Sequence, residues 1–229
     1  MVIKILVSDK IADEGIKILE EEGYEVKRGW DIPKPDLPKI ISEYDVLIVR
    51  SATKVKGELL ENAKNLKVIG RAGEGLDNVD FERAKQLGIT LVNTPHVSYI
   101  SVAELAIGHM LALARNIVQC TNSLREGKWE KEKLMGIELS GKTLGVIGCG
   151  FIGKDVERLA LALGMKVIVV EECVYDRFVP LGDMLPQADF ITLHVPLTPK
   201  TRHLISAKEF NLMKTGVRII DCSRGGVID

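Results

Sequence analysis

The stretch Gly148-Cys149-Gly150-Phe151-Ile152-Gly153 limits what this chain can fold into, because of what stands on either side of it. The apolar run KTLGVIG leads in and reads as a strand, and the segment 152–163, rich in alanine and leucine, follows and reads as a helix. Three glycines spaced GxGxxG at such a junction do separate jobs. The first permits a tight turn, the second lets the backbone come close to a bound group, and the third lets the helix pack on the strand. The start of the helix adds N–H groups and the positive end of a dipole, which together suit a pyrophosphate. Gly148, Gly150 and Gly153, with Phe151 and Ile152 beside them, are therefore candidate dinucleotide contacts. Cys149 and Phe151 read as packing residues rather than redox groups.

An acid beyond the next strand refines the expectation. Glu171 follows KVIVV, with Glu172 next to it. A carboxylate there accepts hydrogen bonds from both hydroxyls of an adenine ribose and repels a 2'-phosphate, so NAD is favoured over NADP. A solvated acid at a strand end would look the same in sequence.

The rest of the chain supports two α/β domains. IKILVSD, YEVKR, DVLIV, KVIGRAG and ITLVN read as strands, with helical spacing near 11–22, 36–43, 56–64 and 80–87, an alternation that builds a parallel sheet. The Pro-containing segment 93–98 breaks the pattern. A long helix then opens with Ser101 as N-cap and Glu104 completing a capping box. After a polar stretch at 121–140 the second series runs through KTLGVIG, KVIVV, DFITLHV, a helix at 206–213 and VRIID. The expected division is 1–98 and 99–229, the second domain being a doubly wound sheet.

Composition excludes several function classes. With 28% charged residues and a formal net charge of -1, no block of like charge points to nucleic acid or an anionic membrane. The opening MVIKILVSDK is too short an apolar run for a signal peptide, and no stretch reaches the ~18 to 20 apolar residues of a membrane span, so a cytoplasmic protein is expected. Cys120, Cys149, Cys173 and Cys222 form no CxxC pair, and the histidines at 96, 109, 194 and 203 have no ligand spacing, so reduced thiols and no metal are expected.

The ordered segments VRSATKV, IGRAGEGLDNVD, SVAELAIG, GKWEKEK, GIELSGKTLGVIGCGFIG, QADFITLHVPLTPKTRHLI and CSRGGVID resemble the D-isomer-specific 2-hydroxyacid dehydrogenases over nearly the whole chain. The resemblance implies a flavodoxin-like substrate domain, then a Rossmann domain for NAD, an active site in the cleft between them, and a homodimer formed largely through the nucleotide domain. It is strongest toward members of archaeal and bacterial type that oxidise 3-phosphoglycerate at the first step of serine biosynthesis. Carried over, Arg224 would bind the substrate carboxylate and polarise the carbonyl, for which a permanently charged, forked guanidinium is suited. Cys222 and Ser223 beside it, and His194, Val195 and Pro196, match loops around the cofactor. Arg50, Ser51, Arg71, Gly73, Glu74 and Gly75 match substrate-binding positions, although either arginine could be a strand-end surface charge. Lys131 matches a basic position that in some relatives reaches the partner subunit's site, though a solvated helix face suits it as well.

The pattern is also departed from. The family's acid/base histidine and the glutamate that holds it fall in segments beyond residue 229, and His96, although set in NTPH, stands at the domain hinge. A polypeptide of residues 1–229 is therefore expected to lack the general acid, to leave VRIID as an apolar sheet edge, and to be inactive. About seven residues after KVIVV, too few for a crossover helix, are expected to leave the Rossmann sheet incomplete and the adenine pocket short of a wall. Glu74 puts a carboxylate where relatives carry a neutral residue. A non-catalytic or engineered nucleotide-binding scaffold derived from such an enzyme is the alternative reading.

Overall fold

The computed structural model describes residues 2–170 and 179–229. Glu171, Glu172 and the shortened crossover at 171–178 lie outside the described residues. The chain divides into two compact units, Met1–Ser98 and Tyr99–Asp229.

The first unit alternates β1 (Lys4–Val7), α1 (Asp13–Glu21), β2 (Glu25–Arg28), α2 (Leu37–Ile40), β3 (Val46–Val49), α3 (Glu58–Glu61), β4 (Val68–Arg71), α4 (Phe81–Gln86) and β5 (Thr90–Asn93). All neighbouring strands pair in parallel in a five-stranded sheet of order β2-β1-β3-β4-β5, the flavodoxin-like arrangement. Side chains alternate across the pleat. Leu6, Leu47, Val49 and Ile69 therefore join Leu37, Ile41 and Leu60 in one apolar layer, while Ile5 and Val7 pack with Ile16 of α1 in the other. The helical segment expected at 36–43 is broken into 3-10 turns at Lys34–Asp36 and Ile41–Glu43 around the short α2, which starts with Pro38 among its first residues.

In the second unit α5 (Tyr99–Ala114) and α6 (Ile117–Arg125) precede β6 (Thr143–Ile147), α7 (Phe151–Ala162), β7 (Lys166–Val170), α8 (Leu181–Met184), β8 (Phe190–Leu193), α9 (Ala207–Phe210) and β9 (Arg218–Asp221). Among the described residues the sheet is parallel and four-stranded, order β7-β6-β8-β9. Leu144, Val146 and Phe190 face Ala106, Met110 and Ala160, whereas Ile147, Ile191 and Leu193 face Met184 and Leu185. Gly145 makes room over β6 for the buried Met184 side chain of α8, since a Cβ there would stand 2.1 Å from its sulfur.

Helix α5 begins at Tyr99, so Ser101 stands in its first turn and is not the expected cap. The capping box forms elsewhere, at Ser206 and Glu209 in front of α9. Helix α5 gives way to α6 at Asn116, whose φ of 51° is left-handed, and α6 runs into the polar stretch at 121–140. Among the described residues no single helix is long and apolar enough to cross a membrane. Cys120 and Cys222 are free thiols, whereas Cys149 is disulfide-bonded, against the expectation. Spacing along the chain tests only local pairs and is blind to a pairing that folding makes.

Candidate active site

In the second unit the residues singled out from sequence gather at the carboxyl ends of parallel strands, where open α/β sheets bind ligands. Gly148 follows β6, His194 follows β8 and Cys222 follows β9. The glycines behave differently from one another. Gly148 has φ 98°, and a Cβ on it would lie 2.6 Å from the His194 carbonyl oxygen. On Gly153 a Cβ would lie 2.0 Å from the Gly148 carbonyl oxygen, so α7 can approach the turn only without one. Among the described residues nothing lies within 4 Å of where the Gly150 Cβ would project. The crowding at the outer glycines and the open space at the middle one are what a backbone cradle for a pyrophosphate requires. Gly150 is the N-cap of α7; among the described residues no side chain caps that end, and its first turn carries no acid to oppose an anion. Ile152 is packed into the core, and the half-exposed Phe151 ring lies 5.9 Å from that of Tyr99.

The loops beyond β8 and β9 are held by their own bonds. The His194 N–H donates to the Ile147 carbonyl at 2.8 Å, and Val195 is buried beneath. His194 Nε2 lies 2.9 Å from the Thr192 hydroxyl, and its buried Nδ1 has no hydrogen-bond partner among the described residues. Burial holds the imidazole down to about 4 against an upward pull from Asp221, so the ring is neutral at neutral pH. The orphaned Nδ1 leaves hydrogen-bonding capacity beside the glycine turn, which, with the space at Gly150, fits a dinucleotide. Pro196 continues this loop, its carbonyl accepting from Thr201 Oγ1 at 2.5 Å. Asp221 Oδ1 accepts from both the Ser223 N–H, at 2.8 Å, and its hydroxyl, at 2.5 Å. That turn carries Arg224, whose Nη1 donates to the Ser223 carbonyl at 2.9 Å. The Cys222 thiol is pushed up by burial and by Asp221.

A separate cavity of about 400 Å³ opens at the carboxyl ends of β3, β4 and β5 in the first unit. Arg50, Ser51, Arg71, Gly73 and Glu74 all line it, together with Thr94 and Val97; Gly75 does not. Gly73 is required where it stands: φ is 149°, and a Cβ would fall 1.6 Å from Arg71 Nη1, so the guanidinium tip occupies the space a side chain would need. The Gly73–Glu74 turn is held by its carbonyls, Gly73 O accepting from the Thr94 N–H at 3.2 Å and Glu74 O from Asn93 Nδ2 at 2.8 Å. The Glu74 carboxylate comes within 4.0 Å of His96 Nδ1, and His96 has the left-handed φ of 62°. Lys131 lies elsewhere, beside Trp129 in a cavity of the second unit.

Sequence reading missed the residues behind the cavity. Asp9, only 5% exposed, and Asn78 hold the loop that carries Arg50 and Ser51. The signal available was a carboxylate two residues after the apolar strand KILV.

Residues 107–229 match the family described as D-isomer specific 2-hydroxyacid dehydrogenase, NAD binding domain. The chain is 49% identical to D-3-phosphoglycerate dehydrogenase of Methanocaldococcus jannaschii, covering 99% of itself and 45% of that enzyme. It is equally 49% identical to hydroxypyruvate reductase of Thermotoga maritima, covering 99% of itself and 76% of the relative. It thus spans less than half the length of the first. A crystal structure of NAD+-bound 3-phosphoglycerate dehydrogenase from Entamoeba histolytica superposes with TM-score 0.83 at 33% identity, covering all of this chain and 74% of that one. The glycine geometry at α7, the parallel sheets and these similarities lead to one assignment, with NAD as the cofactor: the chain belongs to the D-isomer specific 2-hydroxyacid dehydrogenase family.

Proposed function

We propose that this protein takes part in the NAD-dependent oxidation of D-3-phosphoglycerate, or of a closely related small 2-hydroxy acid, to the 2-oxo acid, the first step of serine biosynthesis. The observation that carries the reading is the contrast among the glycines, closed at Gly148 and Gly153 and open at Gly150. NAD supplies the hydride acceptor. The residues of this chain bind and orient. Backbone at Gly150 to Gly153 holds the pyrophosphate, His194 to Pro196 and Cys222 to Ser223 border the cofactor, and Glu171 holds the adenine ribose.

Arg224 grips the substrate carboxylate and stabilises charge on the carbonyl oxygen, a role its fixed fork suits. Arg50, Ser51 and Arg71, with the Gly73–Gly75 turn, receive the anionic end of the substrate. Two guanidinium groups around a cavity of about 400 Å³ suit a phosphorylated three-carbon acid in size and charge. Glu74 opposes them in part. No residue between 1 and 229 is assigned the proton transfer. We further propose a cytoplasmic homodimer joined through the second unit, which sedimentation would check.

The test is a titration of NADH fluorescence with the parent and with Gly150→Val. The expected outcome is binding by the parent and at least about a 100-fold loss in the variant, which keeps its fold. Equal affinity in the two would overturn the nucleotide assignment. Calorimetry with 3-phosphoglycerate, glycerate and lactate then ranks substrates; preference for lactate would overturn the phosphorylated class.

A further inference from the structure

Across the first unit the most heavily bonded carboxylate is one that no substrate would touch. Asp9 stands just past β1 and is buried. Its Oδ2 accepts from the backbone N–H of Arg50 at 2.7 Å and of Thr53 at 3.0 Å. Its Oδ1 accepts from the Thr53 hydroxyl at 2.7 Å and from Lys34 Nζ at 2.8 Å. Lys34 is fixed in turn by the Ser8 carbonyl, at 2.5 Å. From the opposite side Asn78 Nδ2 donates to the carbonyls of Arg50, at 2.8 Å, and Thr53, at 2.7 Å. The loop after β3 is therefore pinned at its first and last residues, N–H groups by Asp9 and carbonyls by Asn78. Ser51 and Ala52 between them are exposed, and Ser51 lines the cavity with Arg50.

We propose that Asp9 is a positioning residue for the Arg50–Thr53 loop, setting the backbone from which Arg50 and Ser51 reach an anionic substrate. A loop following a strand end has few intrinsic bonds, and charge-assisted bonds from two of its amides to one buried carboxylate remove the freedom that would blur an anion site. Lys34 supplies the countercharge that allows the carboxylate to be ionised where it is. Burial would raise the Asp9 carboxyl, yet Lys34, Thr53 and the two amides outweigh that and hold it down to about 2, so it is charged throughout the working range. The assignment of Arg50 and Ser51 to the substrate rests on the proposed function.

The experiment compares the parent chain with Asp9→Ala and Asp9→Asn, reading three quantities: affinity for 3-phosphoglycerate by calorimetry, affinity for NADH by fluorescence, and hydrogen exchange at the Arg50 and Thr53 amides by NMR. In Asp9→Ala, 3-phosphoglycerate binding should weaken at least about tenfold with NADH binding unchanged, while the two amides exchange at least about 100-fold faster. Asp9→Asn keeps an oxygen where both amides point but turns an NH2 toward Lys34, and should recover part of both effects. Should Asp9→Ala not fold, Asp9→Asn and Thr53→Val, which removes the hydroxyl's bonds to Asp9 and Ser8 and leaves the amide bonds, give intermediate values in the same order. Unchanged exchange at Arg50 and Thr53 overturns the proposal. So does faster exchange with undiminished 3-phosphoglycerate affinity, or an equal loss of NADH affinity, which would mark general destabilisation. A parent that does not bind 3-phosphoglycerate removes the substrate reading instead, and the exchange at the two amides then decides whether Asp9 holds the loop.

Discussion

Three glycines in one short loop are not interchangeable, and their substitution by alanine should separate folding from binding. At Gly153 an added Cβ meets the Gly148 carbonyl oxygen at 2.0 Å, so α7 must shift, at a cost of about 1–3 kcal/mol. At Gly148 the left-handed φ adds strain to the clash with His194, and the loss should be at least about as large. Gly150, in an extended conformation with open space around it, should lose less than about 0.5 kcal/mol while NADH affinity falls. Urea unfolding of the three variants checks the order, and equal losses would contradict the division of labour. Asp9 makes a second test at this scale, through pH. Its folded value of about 2 lies below the ordinary 3.8, so the stability it confers is complete above about pH 4 and is lost as pH falls toward 2. The displacement is worth about 2–3 kcal/mol. Asp9→Asn should be less stable than the parent by about that amount at neutral pH, with the gap closing on acidification; a gap that is constant from pH 6 to about pH 2 would show that the charge is not what matters. The two sets of residues were unequally legible in sequence. The glycine spacing is local, whereas the partners of Asp9 stand 25 to 44 positions away, and only the fold brings them together.

Elements whose reasons are local could be read in advance, and those fixed by packing could not. The strands are short β-branched or leucine-rich runs bounded by polar residues, so KILV, VLIV and TLGVI announced themselves. Helix α5 is apolar on most of its surface, and its start is set by what it packs on, which is why Ser101 misled as a cap. Where the cap is real its contribution can be measured. Asp80 caps α4 by accepting from the Arg83 N–H at 3.1 Å. The same Arg83 also forks onto Glu61 of α3 through two bonds of 2.7 Å. The fork is the more conspicuous contact, but both its partners are exposed, so solvent screens it. Asp80→Ala should cost about 1 kcal/mol, because a first-turn N–H loses its acceptor. Glu61→Gln should cost less than that, and thermal unfolding in which Glu61→Gln proves the more damaging would reverse the ranking.

At the scale of the whole molecule the two units are two cores. No residue of the apolar layers around the first sheet belongs to those around the second, since the first set ends at Leu91 and the second begins at Ala103. The cofactor loop and Arg224 lie in the second unit, and the cavity with Arg50 and Arg71 lies in the first. A ligand stabilises what it binds by an amount set by its concentration relative to its dissociation constant, about 2.7 kcal/mol at a hundredfold excess over that constant. NADH should therefore slow hydrogen exchange chiefly in β6, α7 and β8, and 3-phosphoglycerate chiefly in the loops after β3 and β4 and in the turn that carries Arg224. Mass-spectrometric exchange with each ligand alone measures this directly. Protection by NADH that is as large in β1 and β3 as in β6 would mean that the chain stabilises as one body, and the assignment of the cofactor to the second unit would lose its energetic basis. Protection confined to the predicted segments, and absent for NADH in Gly150→Val, would tie the effect to the start of α7, where among the described residues no atom lies within 4 Å of a Cβ added at Gly150.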